Sequence, residues 1–408
     1  MTSIETPYHF LPYISVQYDW QLAYKQDTDN FWISYKNELK STIHGSVSTR
    51  KLNDKLIFEP NKPEFKLSSD SDDKNVIQVS YNGSNKMSIY STDRIYKVLG
   101  GKKRITSMGV SNLGELGVYG SSDGTLEVFE TSDGQVRRKL DGHVGDVDLA
   151  MFFPSGKVLL SGAGDGRLKV WDALEGTCAV TLMGHGGGIT SAGLIDKGRN
   201  LISTSRDGSA RLWDLPTSST IATLTKLPRP INQCYVADGL LNGAQSNQEK
   251  KDQREFGTDG KAVILASEEG FLQIIDVVGK SVITQLSLSE QQSKSAFNAC
   301  TVHRNYIIGG DHDGNIHLWD KNNYNTPLTR LQFTNSPIHQ IVNSPNNPNC
   351  IWVTSGDGYV FQVNLDTFQI QTSLTGIDTD VVTSFNVVND QIFTTSRDSF
   401  IRCYKSIQ

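Results

Sequence analysis

Cysteine, net charge and long apolar runs are all scarce in this chain of 408 residues. The five cysteines are odd in number, far apart and without a C-x-x-C pair, so we expect buried, reduced thiols and no zinc site. A net charge of −5 gives no overall field toward nucleic acid or an acidic membrane. No apolar run approaches the roughly 18 residues that span a bilayer, and the N-terminus lacks the basic start and apolar stretch of a secretory signal. We therefore expect a cytoplasmic or nuclear protein that uses neither nucleic acid nor membrane as a partner.

The chain contains one short sequence phrase, a motif that is repeated seven times. It is clearest as GAGDGRLKVWD (Gly162 to Asp172) and TSRDGSARLWD (Thr204 to Asp214). The turn positions of the phrase are Gly124, Gly166, Gly208, Gly270, Gly314, Gly358 and Ser399. They lie 41 to 44 residues apart, except for one gap of 62. This period is typical of WD40 β-propeller blades of four strands. The sequence therefore predicts an all-β fold, a seven-bladed WD40 propeller, which is more often a docking surface than an enzyme.

The repeat does not extend over the whole chain. We predict a small N-terminal domain over residues 1–85 and the propeller over residues 86–408. In the first part, Val16, Trp20 and Tyr24 are four residues apart, which predicts a short amphipathic helix. The later segment FWISY alternates as a strand does.

Two polar segments are predicted to be loops. The acidic run of Asp70, Asp72 and Asp73 is typical of a solvated loop, with a role in partner binding as the alternative. The gap of 62 residues predicts an insertion at about 239–260, a polar, glycine-containing surface loop.

The last blade has no outer strand of its own, because the sequence ends three residues after Lys405. In the second blade, by contrast, VDLAMFF, KVLLSG and RLKVWD read as three inner strands and CAVTLM as the outer one. An uncovered sheet edge invites aggregation. We therefore predict that Lys86–Leu99 pairs with the last blade and closes the ring.

Two blades carry a histidine, serine, aspartate and tryptophan at the same spacing. In WD40 proteins such a set forms a hydrogen-bond chain within the blade, from the indole N–H through the hydroxyl to the imidazole and carboxylate. Removal of either tryptophan is expected to cost about 3–5 kcal/mol. The predicted tetrads are His143, Ser161, Asp165 and Trp171, and His185, Ser203, Asp207 and Trp213.

Catalytic interpretations of these residues are weaker. A Ser-His-Asp triad is disfavoured, because the serine lies in mid-strand and the set recurs inside a structural repeat. The segment GHGGGIT resembles a phosphate loop but lacks the Lys-Ser/Thr ending and a following helix. Paired-carboxylate catalysis stays open, although nothing favours it. We expect no enzymatic activity, no catalytic residue, no cofactor and no metal.

A partner-binding surface is predicted at one mouth of the ring. In a WD40 disc, the turn before the last inner strand and the loop before the first inner strand meet on one face. Residues just before the turn acid and early in each first strand should therefore lie together, available to anchor a protein. These candidates are Asp146, Asp148, Thr190, Arg206, Asn232, Glu268, Asn298, His312, His339 and Arg397, with Thr383 beside them. The alternative for any one of them is an ordinary solvated rim position.

Some stretches are more specific than the repeat: DGQVRRKLDGHVGDV, FFPSG, DKGRNLISTSRDGSARLWD, REFGTDGK, and an early YDW with a later FWISY. Together they resemble the proteasomal ATPase-associated factor family, the WD40 chaperones of the proteasome regulatory particle. The resemblance covers most of the chain and is strongest from about 100 to 261. It implies binding to the C-terminal domain of one base ATPase subunit during assembly of the 19S particle, and restraint of docking on the 20S core.

Two other classes of function are alternatives. The first is a substrate receptor of a cullin-RING ubiquitin ligase, whose propellers often carry an Arg two residues after Trp-Asp. Here the sequences run WDALE, WDLPT and WDKNN, without that Arg. The second is an RNA-linked scaffold, which the acidic balance and the absence of aromatic-basic stripes disfavour. Outside its complex we expect a monomer.

Overall fold

The computed structural model describes most of the chain, including every predicted site residue. The described residues are 6–25, 28–39, 41–52, 55–69, 73–97, 104–240, 252–288, 294–378 and 380–405. Asp70 and Asp72 of the acidic run, and residues 241–251 of the predicted insertion, lie outside them. No helix in the described part is long and apolar enough to cross a membrane.

Among the described residues up to Lys97, the N-terminal part contains nine strands and a short 3-10 helix at Trp20–Lys25. The strands are β1 (Tyr8–Phe10), β2 (Tyr13–Val16), β3 (Thr28–Lys36), β4 (Thr42–Leu52), β5 (Lys55–Pro60), β6 (Phe65–Ser69), β7 (Val76–Tyr81), β8 (Ser84–Tyr90) and β9 (Arg94–Lys97). The predicted strand FWISY lies in β3. The predicted helix is a 3-10 helix that begins only at Trp20, and Val16 belongs to β2 instead because it pairs with Ile33.

The repeat forms seven sheets, here called blades one to seven in chain order, each antiparallel from an inner to an outer strand. Blade one consists of β10 (Ile105–Val110), β11 (Leu116–Ser121), β12 (Leu126–Glu130) and β13 (Val136–Lys139). Blade two consists of β14 (Leu149–Phe152), β15 (Val158–Gly162), β16 (Leu168–Asp172) and β17 (Cys178–Leu182). Blade three consists of β18 (Ile189–Ile195), β19 (Asn200–Ser205), β20 (Ser209–Asp214) and β21 (Ser219–Lys226). Blade four consists of β22 (Ile231–Asp238), β23 (Lys261–Ser267), β24 (Phe271–Asp276) and β25 (Ser281–Ser287). Blade five consists of β26 (Phe297–His303), β27 (Tyr306–Asp311), β28 (Asn315–Asp320) and β29 (Thr329–Gln332). Blade six consists of β30 (Ile338–Asn343), β31 (Cys350–Ser355), β32 (Val360–Asn364) and β33 (Gln369–Leu374). Blade seven contains β34 (Val382–Val388), β35 (Gln391–Ser396) and β36 (Phe400–Lys405).

The blades follow one another around a ring. Each inner strand contacts the inner strand of the next blade, and β34 of blade seven contacts β10 of blade one. The second strand of each blade is buried, apart from a half-buried first residue in five of the blades; in β19 and β31 all six residues are buried. The outer strands of blades one to four are more exposed, and the four residues of β13 are all exposed. The outer strands β29 and β33 of blades five and six are largely buried, because β1 and β8 pair with them. The chain is therefore an all-β fold, as predicted.

The ring closes by pairing its two ends. Arg94–Lys97 (β9) pairs antiparallel with β36 and supplies the outer strand of blade seven. The prediction for Lys86–Leu99 is right for this part of the segment only. Met87 and its neighbours belong to β8, which pairs in parallel with β33 of blade six, while Leu99 lies outside the described residues. The change of partner follows the short connection at residues 91–93, where Asp93 N donates to Cys403 O.

The N-terminal part packs on blades five and six rather than standing apart. Strands β2 to β5 form their own sheet, β1 pairs with β29, and β6 to β8 extend the sheet of blade six. One apolar cluster joins Tyr13, Phe333 and Phe361 across this junction. The Trp20 indole N–H donates to Thr375 Oγ1 at 3.1 Å. The predicted domain boundary at residues 85 and 86 lies within strand β8.

Two local features refine the sequence-based interpretation. Cys178 is exposed, unlike the other four cysteines, because it begins the outer strand β17; the prediction of five buried thiols is wrong there. The end of the insertion, residues 252–260, is docked on blade three. Asn200 accepts from Phe256 N at 2.7 Å and donates to Arg254 O at 3.0 Å, and the Arg199 guanidinium lies 3.4 Å from the centre of the Phe256 ring.

Candidate functional site

The tetrad of blade two is a continuous hydrogen-bond chain. The Trp171 indole N–H donates to Ser161 Oγ at 2.7 Å, Ser161 Oγ lies 2.7 Å from His143 Nε2, and His143 Nδ1 lies 3.1 Å from Asp165 Oδ2. Asp165 also accepts from Val144 N at 3.1 Å. With Nδ1–H donated to the carboxylate, Nε2 accepts the serine proton, and every polar atom of the chain has a partner.

Blade three repeats this arrangement. Trp213 donates to Ser203 Oγ at 2.8 Å, Ser203 lies 2.7 Å from His185 Nε2, and His185 Nδ1 lies 3.3 Å from Asp207 Oδ2. Asp207 accepts further bonds from Gly186 N at 2.7 Å and from Ser209 N at 2.7 Å. Like the serine of blade two, Ser203 is completely buried. The Ser203 hydroxyl accepts a hydrogen bond from Trp213 and donates one to His185. It is therefore out of reach of a substrate and holds the blade together.

The electrostatics of the tetrads fit neutral imidazoles beside ionised carboxylates. Burial lowers the pKa of His143 and His185, more than the neighbouring carboxylates raise it. Burial alone would raise the pKa of Asp207, but the hydrogen bonds from Ser209 and from Gly186 N lower it overall. The pKa of Asp165 is lowered in the same way, chiefly by Arg167 N and His143.

The structure brings all ten predicted partner-binding residues to the same mouth of the ring, where they line two adjoining cavities. The larger, about 840 Å³, contains Glu268 and His312; the other, about 690 Å³, contains Asp146, Asp148 and Arg206. Both are lined by Asn232, Asn298 and His339, while Thr190, Arg397 and Thr383 line the second alone. We call this surface the mouth. A binding role for these residues stays a prediction.

Charge is unevenly distributed around the mouth. The basic side chains of blades four to seven form an arc, interrupted by Glu268 and Asp313; this basic arc consists of Arg229, Lys294, His312, His339 and Arg397. Burial lowers the pKa of His339, and the nearby Arg397 and His312 lower it further. On blade two the mouth is acidic, with Asp146 beside Asp148.

One ion pair crosses from the acidic side to the next blade. Arg206 of blade three donates to Asp148 Oδ2 of blade two at 3.0 Å. Burial raises the pKa of Asp148, and Arg206 offsets part of that effect. The arginine side chain is 62% exposed, so the pair holds a guanidinium in place at the surface while leaving most of it accessible.

Some mouth residues also connect neighbouring blades. Thr190 Oγ1 donates to Ile231 O at 2.5 Å, and Asn232 Nδ2 donates to Phe297 O at 2.9 Å. The same kind of bond closes the ring, where Ser384 Oγ donates to Met108 O at 3.0 Å. The polar groups of Thr190 and Asn232 are thus occupied by the next blade, which gives these two residues a structural role that the sequence did not indicate.

Sequence reasoning missed two cations of the basic arc, Arg229 and Lys294. Both lie in the loops that lead into a first inner strand, β22 and β26, two or three residues ahead of the strand. On these two blades the prediction took Asn232 and Asn298 from inside the strand and no residue from the loop before it. A rule that included the whole connecting loop would have found both.

Among the described residues, no group of three or more His, Cys, Asp or Glu side chains is arranged to hold a metal ion. The mouth presents hydrogen-bonding and charged side chains together with some apolar ones. Such a surface suits recognition of another polypeptide through a few anchoring side chains.

Comparison with known proteins agrees with this architecture. The family model described as "WD domain, G-beta repeat" matches residues 134–172 and 176–214, which confirms the prediction of a WD40 propeller. The chain is 65% identical to the "Probable proteasomal ATPase-associated factor 1" of Dictyostelium discoideum, over 99% of this chain and 98% of that protein. It is 40% and 39% identical to the proteins named "Proteasomal ATPase-associated factor 1" of Gallus gallus and Homo sapiens, in each case over 96% of this chain and 98% of the relative. The predicted resemblance is confirmed, and the chain belongs to the proteasomal ATPase-associated factor 1 family.

Proposed function

We propose that this protein is a non-enzymatic scaffold that associates with the proteasome by binding the C-terminal domain of one base ATPase subunit. In this role it assists assembly of the 19S regulatory particle and restrains docking on the 20S core until the base is complete. The observation that carries the proposal is the 65% identity, over nearly the full chain, to a protein named as a proteasomal ATPase-associated factor. Identity at this level leaves little room for a different fold or a rearranged surface.

The mouth supports the proposal through its charge. An interface of ordinary size buries about 1,600 Å² in total, most of its affinity residing in a few side chains. Asp146 and Asp148 suit basic residues of a partner, and the basic arc suits acidic ones. A partner that contacts both the two aspartates and the basic arc can bind in one orientation only. In the reversed orientation, its basic residues would face the basic arc and its acidic residues would face the aspartates.

We further propose that the chain acts as a monomer outside this complex, in the cytoplasm or nucleus, and that neither nucleic acid nor membrane is its partner. The net charge of −5 supports this, since it provides no attraction to polyanions.

The first test is capture of purified C-terminal domains of the base ATPase subunits by the tagged full-length chain. We expect one of them to bind, and failure of all of them would contradict the proposal. The double variant Asp148→Lys with Arg206→Glu sharpens the test. It reverses both charges at the mouth but keeps opposite charges facing each other, so it should preserve thermal stability while abolishing capture.

A matched control is available in the N-terminal sheet. Arg50 and Glu59 form an exposed ion pair at 3.2 Å, and the swap Arg50→Glu with Glu59→Arg also exchanges two charges on neighbouring strands. This variant should capture the ATPase domain normally. If it loses capture as the mouth variant does, the loss in the mouth variant does not identify the mouth as the binding surface.

Restraint of docking needs a separate measurement. Purified base and 20S core are mixed with increasing amounts of the chain, and assembled particles are counted by native electrophoresis and peptide hydrolysis. We expect assembly to fall with the wild-type chain and to be unaffected by the mouth variant. Unchanged assembly with a chain that does capture the ATPase domain would retain the binding proposal and overturn the docking one.

A further inference from the structure

Trp32 differs from the other tryptophans of this chain. The other five, Trp20, Trp171, Trp213, Trp319 and Trp352, are at most 1% exposed, whereas Trp32 is 46% exposed. Tyr18, which lines the same cavity, is 40% exposed. A large aromatic side chain left in water forgoes much of its hydrophobic stabilisation, so a pair of them on one surface marks a contact site.

Trp32 and Tyr18 open onto a cavity of about 70 Å³ between the N-terminal sheet and blade six. Tyr359 adds a third ring, and Asp357 and Asp378 add two carboxylates. Since one water needs roughly 10–15 Å³ of such space, the cavity accommodates a head group of a few heavy atoms. It shares no lining residue with the mouth.

The two carboxylates give this cavity a negative charge. Asp357 accepts hydrogen bonds from the hydroxyls of Ser355 and Thr334, the latter at 2.7 Å. Asp378 is exposed. Within the described residues no Lys, Arg or His lines the cavity. Aromatic faces beside ionised carboxylates attract an organic cation by the ring quadrupole and by direct charge.

The surface continues past Trp32 into a second, shallower groove over strands β3 and β4. This groove, about 290 Å³, is also lined by Trp32 and Tyr359, and it carries Lys36 and His44. Acidic groups thus lie at one side of the exposed indole and basic groups at the other. The two cavities together are longer than a single head group requires, which fits an extended chain better than a small ion.

We propose that the N-terminal sheet and blade six form a second docking site, which takes the cationic side chain of a lysine or arginine in an extended segment of a partner protein. The cation lies in the cavity of Trp32, Tyr18 and Asp357, and an acidic residue of the same segment lies against Lys36. The site is separate from the mouth and goes beyond the function proposed above, so either can fail while the other stands.

The exposed indole provides a selective readout. Acrylamide or iodide quenches accessible tryptophan fluorescence, and only Trp32 is accessible; the variant Trp32→Phe should remove the quenchable signal. Full-length protein is titrated with capped Gly/Ser peptides that carry one Glu and one variable residue. With Arg, Lys or trimethyl-Lys at that position we expect protection from quenching, and with the neutral analogues citrulline and acetyl-Lys we expect none. The ranking of the three cations identifies the natural side chain.

Variants test the residues directly, by calorimetric titration with the Arg and Lys peptides. We expect Trp32→Ala, Tyr18→Ala and Asp378→Asn each to weaken binding about fivefold or more. Leu174→Ala is the matched control, since Leu174 on blade two is 49% exposed, and it should bind as the wild type does. Equal binding of the neutral and cationic peptides, absence of protection at millimolar peptide, or unchanged affinity in Trp32→Ala would each overturn the proposal.

Discussion

Blades three and five carry nearly the same phrase, TSRDGSARLWD and GDHDGNIHLWD, yet they hold their tryptophans differently. In blade three the Trp213 N–H donates to Ser203, and the bonds continue through His185 to Asp207. In blade five the position ten residues before the tryptophan is Gly309, and the buried Trp319 N–H has no hydrogen-bond partner among the described residues.

Blade five contains a different buried polar cluster instead. Asp311 Oδ2 lies 2.9 Å from His317 Nε2 and accepts from Asn315 Nδ2 at 2.8 Å. A serine in place of Gly309 would collide with Phe297, because a Cβ there would approach its ring to 2.8 Å. The same strand pattern therefore tolerates two solutions for buried polar groups, and the tryptophan alone does not reveal which one a blade uses.

The largest difference should appear at the two aspartates. Asp311→Ala leaves His317 and Asn315 buried without their acceptor, and we expect it to lower the free energy of unfolding by about 3–5 kcal/mol. Asp207→Ala removes a carboxylate that is partly exposed, and we expect about 1–3 kcal/mol. Urea unfolding of both variants measures the difference. An equal loss of unfolding free energy in the two variants would mean that the polar cluster of blade five depends on its aspartate no more than a tetrad does.

The turn glycines test what the two blades share. Gly208 has φ +80°, and a Cβ there would overlap the Leu227 carbonyl oxygen; Gly314 is in the same position against Thr334 O. Gly83, in the hairpin of β7 and β8, has φ +72° but open space around it. We expect Gly83→Ala to cost about 1 kcal/mol from the left-handed backbone alone, and Gly208→Ala about 3 kcal/mol. Equal thermal shifts in the two variants would show that the carbonyl moves aside.

Exchange of each tryptophan for phenylalanine isolates its N–H group. Trp213→Phe removes packing volume and a hydrogen bond to Ser203, whereas Trp319→Phe removes volume and a buried donor that has no partner. We expect Trp213→Phe to cost about 1–2 kcal/mol more than Trp319→Phe. Chemical unfolding at one pH measures both. A larger cost at Trp319 would indicate a partner for its N–H outside the described residues.

Much of this fold was readable from the sequence because the repeat specifies strands, turns and the two tetrads locally. The shared location of the ten mouth residues also followed from the repeat, since its equivalent positions lie at equivalent places on the ring, while their binding role stays a prediction. The arrangement of the N-terminal part was not, because it depends on contacts between distant segments, such as Trp20 with Thr375 and β8 with β33. The cavity beside Trp32 was missed for the same reason: a single sequence does not show which tryptophan lacks a neighbour.

The smallest expected effect is the pH dependence of the tetrads. Because burial lowers the folded-state pKa of His143 and His185, the unfolded chain binds more protons as the pH falls below about 6.5. Stability from these residues is present above that pH and is lost as the pH falls through the folded-state pKa. Blade five, without a tetrad histidine, lacks this contribution at the equivalent position. Urea unfolding at pH 7.5 and 5.5 should therefore show a smaller loss of stability in the double variant His143→Gln with His185→Gln than in the wild type. If the two proteins lose the same amount, the imidazoles of the tetrads are not kept neutral by burial, and the acid sensitivity of the ring comes from elsewhere, His339 at the mouth being the first residue to test.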